Sequence, residues 1–164
     1  MNRNVPMNQV LGQQDRVNAL AALLSDIVLG TKPNARDEIG NSVAFASVPG
    51  EVFSFEATVH LRTVRFRLRH VLESDNPPHN LMGQYELFFV DGNGDFVSAG
   101  WSLQLIGENR VVSLDGRVLQ IFEGDEEQHN QLVYSAVAKA AVAAVHSALP
   151  VVAVNGQQVP GKAN

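Results

Sequence analysis

Apolar residues near the start of the chain recur every three or four positions, which is the spacing of one helix face. This pattern begins near Val10 and ends near Val28, with polar residues largely on the opposite side. Gly30 and Pro33 follow, and a glycine followed by a proline commonly marks the end of a helix. The pattern therefore predicts a helix over residues 8–29.

Farther along, the pattern changes to the two-residue alternation of a β-strand. The apolar residues are odd-numbered up to Leu61 but even-numbered from Val64 to Leu68. A one-residue slip moves every side chain to the other face, so the chain must absorb this change after His60. No Gly, Pro, Asn or Asp is present there to form a tight hairpin turn. The pattern therefore favours a β-bulge or bend in one long strand, with a helix over residues 61–72 as the weaker alternative.

Further strand patterns flank this segment. Residues 42–48 form a short candidate strand, and residues 84–90 and 96–106 flank the loop sequence DGNGD, as in a hairpin. Residues 111–114 and 117–122 flank an Asp-Gly pair, which is a strong signal for a two-residue hairpin turn.

A second helix is predicted over residues 125–149, where small apolar residues recur on one face and Pro150 follows. The order of elements predicts an α+β fold: an N-terminal helix, an antiparallel sheet of about five or six strands and a C-terminal Ala-rich helix. The bulge or bend is expected near residues 60–64. Both helices are expected on one face of the sheet.

Small side chains let another backbone approach the C-terminal helix closely. We therefore expect Ala136, Ala140 and Ala144 to pack tightly on another element, which in a homodimer is a second subunit. Glu126 and Glu127 suit the positive N-terminal end of this helix and complete the predicted interface.

The bulk composition narrows the class of protein. A chain of 164 residues fits one domain, predicted over residues 8–150, with a flexible start at residues 1–7 and a tail at 151–164. The absence of cysteine excludes disulfides and thiolate chemistry. The polar start and the lack of a long apolar run predict a cytoplasmic protein without a membrane segment.

Catalytic motifs are missing from the sequence. The five histidines lack the spacing of a metal pair, and no nucleophile elbow or phosphate-binding loop is present. The sequence DGNGDF starts like a calcium loop but lacks the later Gly and Glu, so turn formation explains it better. We therefore predict no catalytic residue, no metal site and no cofactor.

The most distinctive segment is LRTVRFRLRH, which holds four of the twelve basic residues of a chain with net charge −5. Arg65, Arg67 and Arg69 share one face of a strand, about 6.7 Å apart. Arg62 lies on the other face unless the bulge turns it. Water and cross-strand carboxylates such as Glu86 are the simplest neutralising partners.

Two functional alternatives remain for the arginines. Guanidinium groups bind phosphate in a planar fork, which makes nucleic acid one candidate partner. An acidic protein surface is the other, and the segment with Glu123, Asp125, Glu126 and Glu127 is an example within this chain.

The sequence therefore predicts a non-enzymatic binding or assembly module, homodimeric, whose arginine-lined strand face engages an anionic partner. The alternative is an enzyme or small-molecule binder with a pocket between a curved sheet and a helix. In that case His60, His70 or Tyr85 would lie inside the pocket.

Overall fold

A computed structural model of the chain describes residues 7–72, 81–106, 111–114, 117–120 and 127–154. The helices are α1 (Met7–Gly30), α2 (Glu38–Asn41) and α3 (Glu127–Ala148). The strands are β1 (Ala44–Ser47), β2 (Phe55–Val59), β3 (Arg62–Leu72), β4 (Leu81–Val90), β5 (Phe96–Ile106), β6 (Val111–Leu114) and β7 (Arg117–Gln120). These seven strands form one antiparallel sheet in which the spatial order equals the chain order. The predicted α+β fold is confirmed.

The helices α1 and α3 pack on the same face of the sheet and enclose one hydrophobic core. Leu24 of α1 and Ala141 of α3 are fully buried there, together with Phe55, Phe66 and Tyr85 from the strands. The apolar stripe that the sequence predicts for α1 is the side of the helix that is buried in the core. The helical periodicity was therefore sufficient to identify the side of α1 that packs on the sheet. The predicted helix bounds agree with α1, and with α3 as far as the described residues reach.

The close approach of α1 to the sheet depends on Gly83 in β4. A Cβ atom at this position would lie 2.8 Å from Cγ1 of Val17 and 3.1 Å from Cδ1 of Leu68. Both distances are shorter than normal van der Waals contacts. Glycine therefore lets the helix lie directly against the strand.

The predicted break near residues 60–64 is present, but its form differs from the one expected. β2 and β3 are separate strands joined by a two-residue hairpin, in which Val59 lies opposite Arg62. His60 and Leu61 form the turn with positive φ angles of 49° and 65°. Positive φ at both central residues is typical of a type I′ turn, which usually contains Asn-Gly. Our expectation of a bulge or bend in one long strand was wrong, and this split raises the number of strands in the described ranges to seven.

The hairpin was not predictable from its turn residues, because a turn of this kind usually contains Asn, Asp or Gly and none of them is present here. Cross-strand pairing sets the turn instead, since the chain reversal places Phe55 opposite Phe66. Their rings stack with centroids 4.7 Å apart. Burial of this aromatic pair favours the chain reversal, while the positive φ angles of the two turn residues oppose it.

Replacing Leu61 with glycine is expected to raise the free energy of unfolding by about 0.5–1 kcal/mol. The leucine side chain is 99% exposed, so its removal costs no packing, while glycine relieves the left-handed strain. Urea denaturation measures the change. The matched control is Leu61→Ala, which removes the same exposed side chain but keeps a Cβ atom. Equal stability of the two variants would contradict strain at this turn.

Both tyrosines of the chain are hydrogen-bonded inside the structure. Tyr85 donates its hydroxyl to the carbonyl of Phe53 at 2.6 Å, and Tyr134 donates to the carbonyl of Gly40 at 3.1 Å. Burial raises the pKa of the Tyr85 phenol. Burial, followed by the nearby negative charge of Asp37, raises the pKa of Tyr134.

We expect the protein to lose stability as the pH rises above about 10, the ordinary tyrosine pKa. The folded state holds both phenol protons more tightly than the unfolded state. This contribution is therefore complete below the unfolded pKa and is lost as the pH rises towards the folded values. Near-ultraviolet absorbance of tyrosinate, followed with the unfolding transition, checks this. The Tyr85→Phe variant should show a shallower alkaline loss, and ionisation of both tyrosines near pH 10 in folded protein would refute the expectation.

Candidate functional site: the open sheet face

The sheet face turned away from α1 and α3 carries the arginine row. Within the described part of the chain, no helix covers this face. Its side chains alternate along each strand with the core residues, so Arg65 and Arg67 flank the buried Phe66. We call this surface the open face and define it by Glu56, Arg65, Arg67, Arg69, Gln84, Glu86, Phe88 and Phe96.

Arg65 is the most enclosed member, with a side chain that is 19% exposed. Its Nε donates to Glu56 at 2.8 Å, and its Nη2 also contacts this carboxylate. Its Nη1 donates to Glu51, in the connection between β1 and β2, at 3.0 Å. Two carboxylates therefore hold this guanidinium, and its role in this arrangement is to link β3 to β2 and to the preceding loop.

Arg67 and Arg69 are much more accessible, with side chains 44% and 58% exposed. Nε of Arg67 lies 3.1 Å from Glu51. Nη2 of Arg69 lies 2.7 Å from Glu86 and donates to Gln84 at 3.1 Å. The cross-strand contact with Glu86 was anticipated from the sequence. The contribution of Glu51 was not, because it comes from a loop and follows no period.

An aromatic ring lies beside the arginines. The guanidinium carbons of Arg65 and Arg67 each lie 4.9 Å from the centroid of the Phe96 ring, within cation–π range. Phe88 packs edge-on against Phe96 at 6.0 Å, and Phe96 remains 37% exposed. The open face thus combines guanidinium, carboxylate and aromatic groups in one small area.

Arg62 does not join this surface. Its guanidinium lies 4.3 Å above the ring of Phe89, which packs against the core on the helix side of the sheet. The open face therefore holds three of the four arginines singled out from the sequence.

The alanine stripe of α3 packs within the single chain. Ala140 and Ala144 are 2% and 0% exposed inside the core, and Ala136 is half-buried against it. Glu127 is exposed at the start of α3. Glu126 lies outside the described residues, as do Glu123 and Asp125. The close packing on another element is therefore within the chain, and a subunit interface at this helix stays a prediction.

The three residues expected in a pocket do not converge. Tyr85 is buried in the core, while His60 lies in the hairpin turn. Nε2 of His70 lies 2.9 Å from Oδ1 of Asn18 in α1, about 25 Å along β3 from the hairpin. Each of these three residues therefore lies in a different part of the molecule, and they do not line a common pocket.

The loop sequence DGNGD adopts the turn expected of it. The Asp91 carboxylate accepts hydrogen bonds from the backbone N–H groups of Asn93 and Asp95, both at 2.9 Å. Across the described ranges, this loop included, no three His, Asp or Glu side chains cluster in the manner of a metal centre. None of the helices that the structure describes is long and apolar enough to cross a membrane.

Comparison of the chain with protein-family models, with curated proteins and with solved structures gives no match. The argument for function therefore starts from the geometry of the open face.

Proposed function

We propose that this protein is a non-enzymatic binding module that receives an acidic segment of a partner protein on its open face. The observation that carries the proposal is the exposure of Arg67 and Arg69, 44% and 58%, beside the exposed ring of Phe96. Two accessible guanidinium groups next to an aromatic surface suit a peptide that has both carboxylate and apolar side chains.

The existing ion pairs favour such binding because they orient the arginines without occupying them fully. Exposed ion pairs contribute only about 0–1 kcal/mol each, so an incoming carboxylate can replace Glu51 or Glu86 at small cost. Arginine also presents its donors in a planar fork, which matches a carboxylate in two-point contact. The displaced glutamates can then turn towards solvent.

The charges of the open face favour an acidic peptide over nucleic acid. Arg65, Arg67 and Arg69 contribute three positive charges, and Glu51, Glu56 and Glu86 bring three negative charges into contact with them. A nucleic-acid backbone needs a surplus of positive charge, because its binding energy comes largely from neutralising successive phosphates. A short peptide with a few carboxylates needs only local pairing.

The same balance of charges supports a second candidate, which is homodimer formation through the open face. In a two-fold arrangement, each arginine of one copy can meet a glutamate of the other copy. This dimer would use the sheet and not the alanine stripe of α3, so the two modes of assembly predict different sensitive residues.

The test uses the double variant Arg67→Gln/Arg69→Gln. A fluorescent poly-glutamate peptide is titrated at low and moderate salt, and single-stranded oligo-thymidine is titrated in parallel. We expect the peptide to bind, and the double variant to weaken its binding about tenfold or more, since each substitution removes charged hydrogen bonds. The charge-matched control is Arg36→Gln/Lys139→Gln, which changes two exposed basic residues away from the open face.

Other results would overturn the proposal in distinguishable ways. Equal binding by the double variant and the control, or no peptide binding at all, removes the open face as an acidic-peptide site. Tight oligo-thymidine binding that the double variant loses assigns the face to nucleic acid. A wild-type dimer in light scattering that the double variant converts to a monomer, without peptide binding, assigns it to self-association.

A further inference from the structure

Two histidines from distant parts of the chain meet at the end of the sheet where the β2–β3 hairpin turns. His60 lies in this turn, and His146 lies in the last turn of α3, 86 residues away in the sequence. Their Nε2 atoms are 2.9 Å apart, both side chains are exposed, and neither belongs to the open face. This cluster has no role in the function proposed above.

The rings meet almost head to head. Their centroids are 5.1 Å apart and their planes differ by 12°, so each Nε2 points nearly at the other. At this distance one nitrogen donates a proton and the other accepts it with its lone pair. Two imidazole nitrogens this close are also spaced as neighbouring ligands of one transition-metal ion, which would lie beside the line that joins them and not at the position of the proton.

We propose that His60 and His146 form a binding site for a divalent transition metal of the zinc class. Zinc–nitrogen bonds of about 2.0–2.1 Å place two nitrogens of a tetrahedral site about 3.3 Å apart. A square-planar copper or nickel site places adjacent nitrogens about 2.9 Å apart. The observed separation of 2.9 Å lies within this range, and a turn of each exposed ring by about 40° aims both lone pairs at a common ion beside the line between the nitrogens.

The position of His146 gives a second reason for a cation here. α3 ends at Ala148, so the site lies at the negative end of the helix dipole, where positive charge is stabilised. Two protein ligands leave the remaining coordination positions to water, in contrast to the four protein ligands of a structural zinc site. The bound ion would join the β2–β3 hairpin to the C-terminal end of α3.

The experiment measures zinc binding to the full, untagged chain by competition with a chromophoric chelator. The variants are His60→Asn, which suits the left-handed turn, and His146→Gln. The matched control is His70→Gln, which removes an exposed histidine outside the pair. We expect wild type and control to bind one zinc ion per chain, and each pair variant to bind it at least about tenfold more weakly.

A second readout links binding to this geometry. An ion that binds only the folded state raises the Tm, so zinc should raise the Tm of wild type and control but not of the pair variants. Circular dichroism establishes that each variant is folded. The proposal fails if wild type holds no more zinc than the pair variants, or if the His70→Gln control loses as much zinc as they do.

Discussion

Replacing Phe66 with alanine is expected to lower the free energy of unfolding by about 3–5 kcal/mol. Phe66 is fully buried in β3, its ring stacks on Phe55 at 4.7 Å, and it lies opposite the buried Leu87 of β4. Both helices lie over this part of the sheet, so the neighbouring side chains have little freedom to fill the cavity. Urea or thermal denaturation measures the loss.

The control for this prediction is Phe96→Ala, which removes the same side chain from the open face. Phe96 is 37% exposed and contacts Arg65 and Arg67 through its ring, so a smaller loss of about 1–2 kcal/mol is expected. Equal losses in the two variants would mean that the core does not lie where the structure places it.

Replacing Ala140 with phenylalanine is expected to cost about 1–3 kcal/mol through overpacking. The side chain is 2% exposed on the buried side of α3, and the stripe to which it belongs faces the sheet and the other helices. A ring placed there must displace neighbouring side chains or lift the helix from the sheet. Chemical denaturation measures the cost.

The matched control is Lys139→Phe, one position along α3, where the side chain is exposed. It introduces the same residue into the same helix without crowding the core. Light scattering on both variants separates packing within the chain from packing between subunits. If Ala140→Phe changes neither the stability nor the mass in solution, the stripe is not closely packed.

Much of the fold follows from periodicity in the sequence. Both long helices were predictable because their apolar stripes are regular, because Gly30 ends the first helix and because Pro150 lies just beyond the second. In β5 the alternation predicted Leu103 and Leu105 in the core, where both are fully buried. Val97 lies on the same side of the sheet, opposite Phe89, but it is 56% exposed because it stands at the start of β5, beside the DGNGD turn and beyond the buried core.

Two features could not be predicted from periodicity: the β2–β3 hairpin, and the contact between the arginines and Glu51 in the loop before β2. The turn at His60 and Leu61 is imposed by pairing across the strands, while local propensity opposes it. Recognition of this hairpin would have placed Glu56 opposite Arg65, since the register follows from a two-residue turn. The position of Glu51 depends on the path of the preceding loop, which has no repeating pattern.

The chain order of the strands has a consequence for how the molecule folds. Each strand pairs with the one that follows it, so the sheet can assemble by successive zipping of hairpins, with little loop-closure entropy at each step. The contact between α1 and α3 is different, because it joins the two ends of the described chain. We therefore expect an early nucleus at β3 and β4, the longest described pairing, and late docking of the terminal helices. A nascent chain on the ribosome would then expose the helix-side face of the sheet until α3 emerges. The core can therefore be fully buried only after α3 has been synthesised.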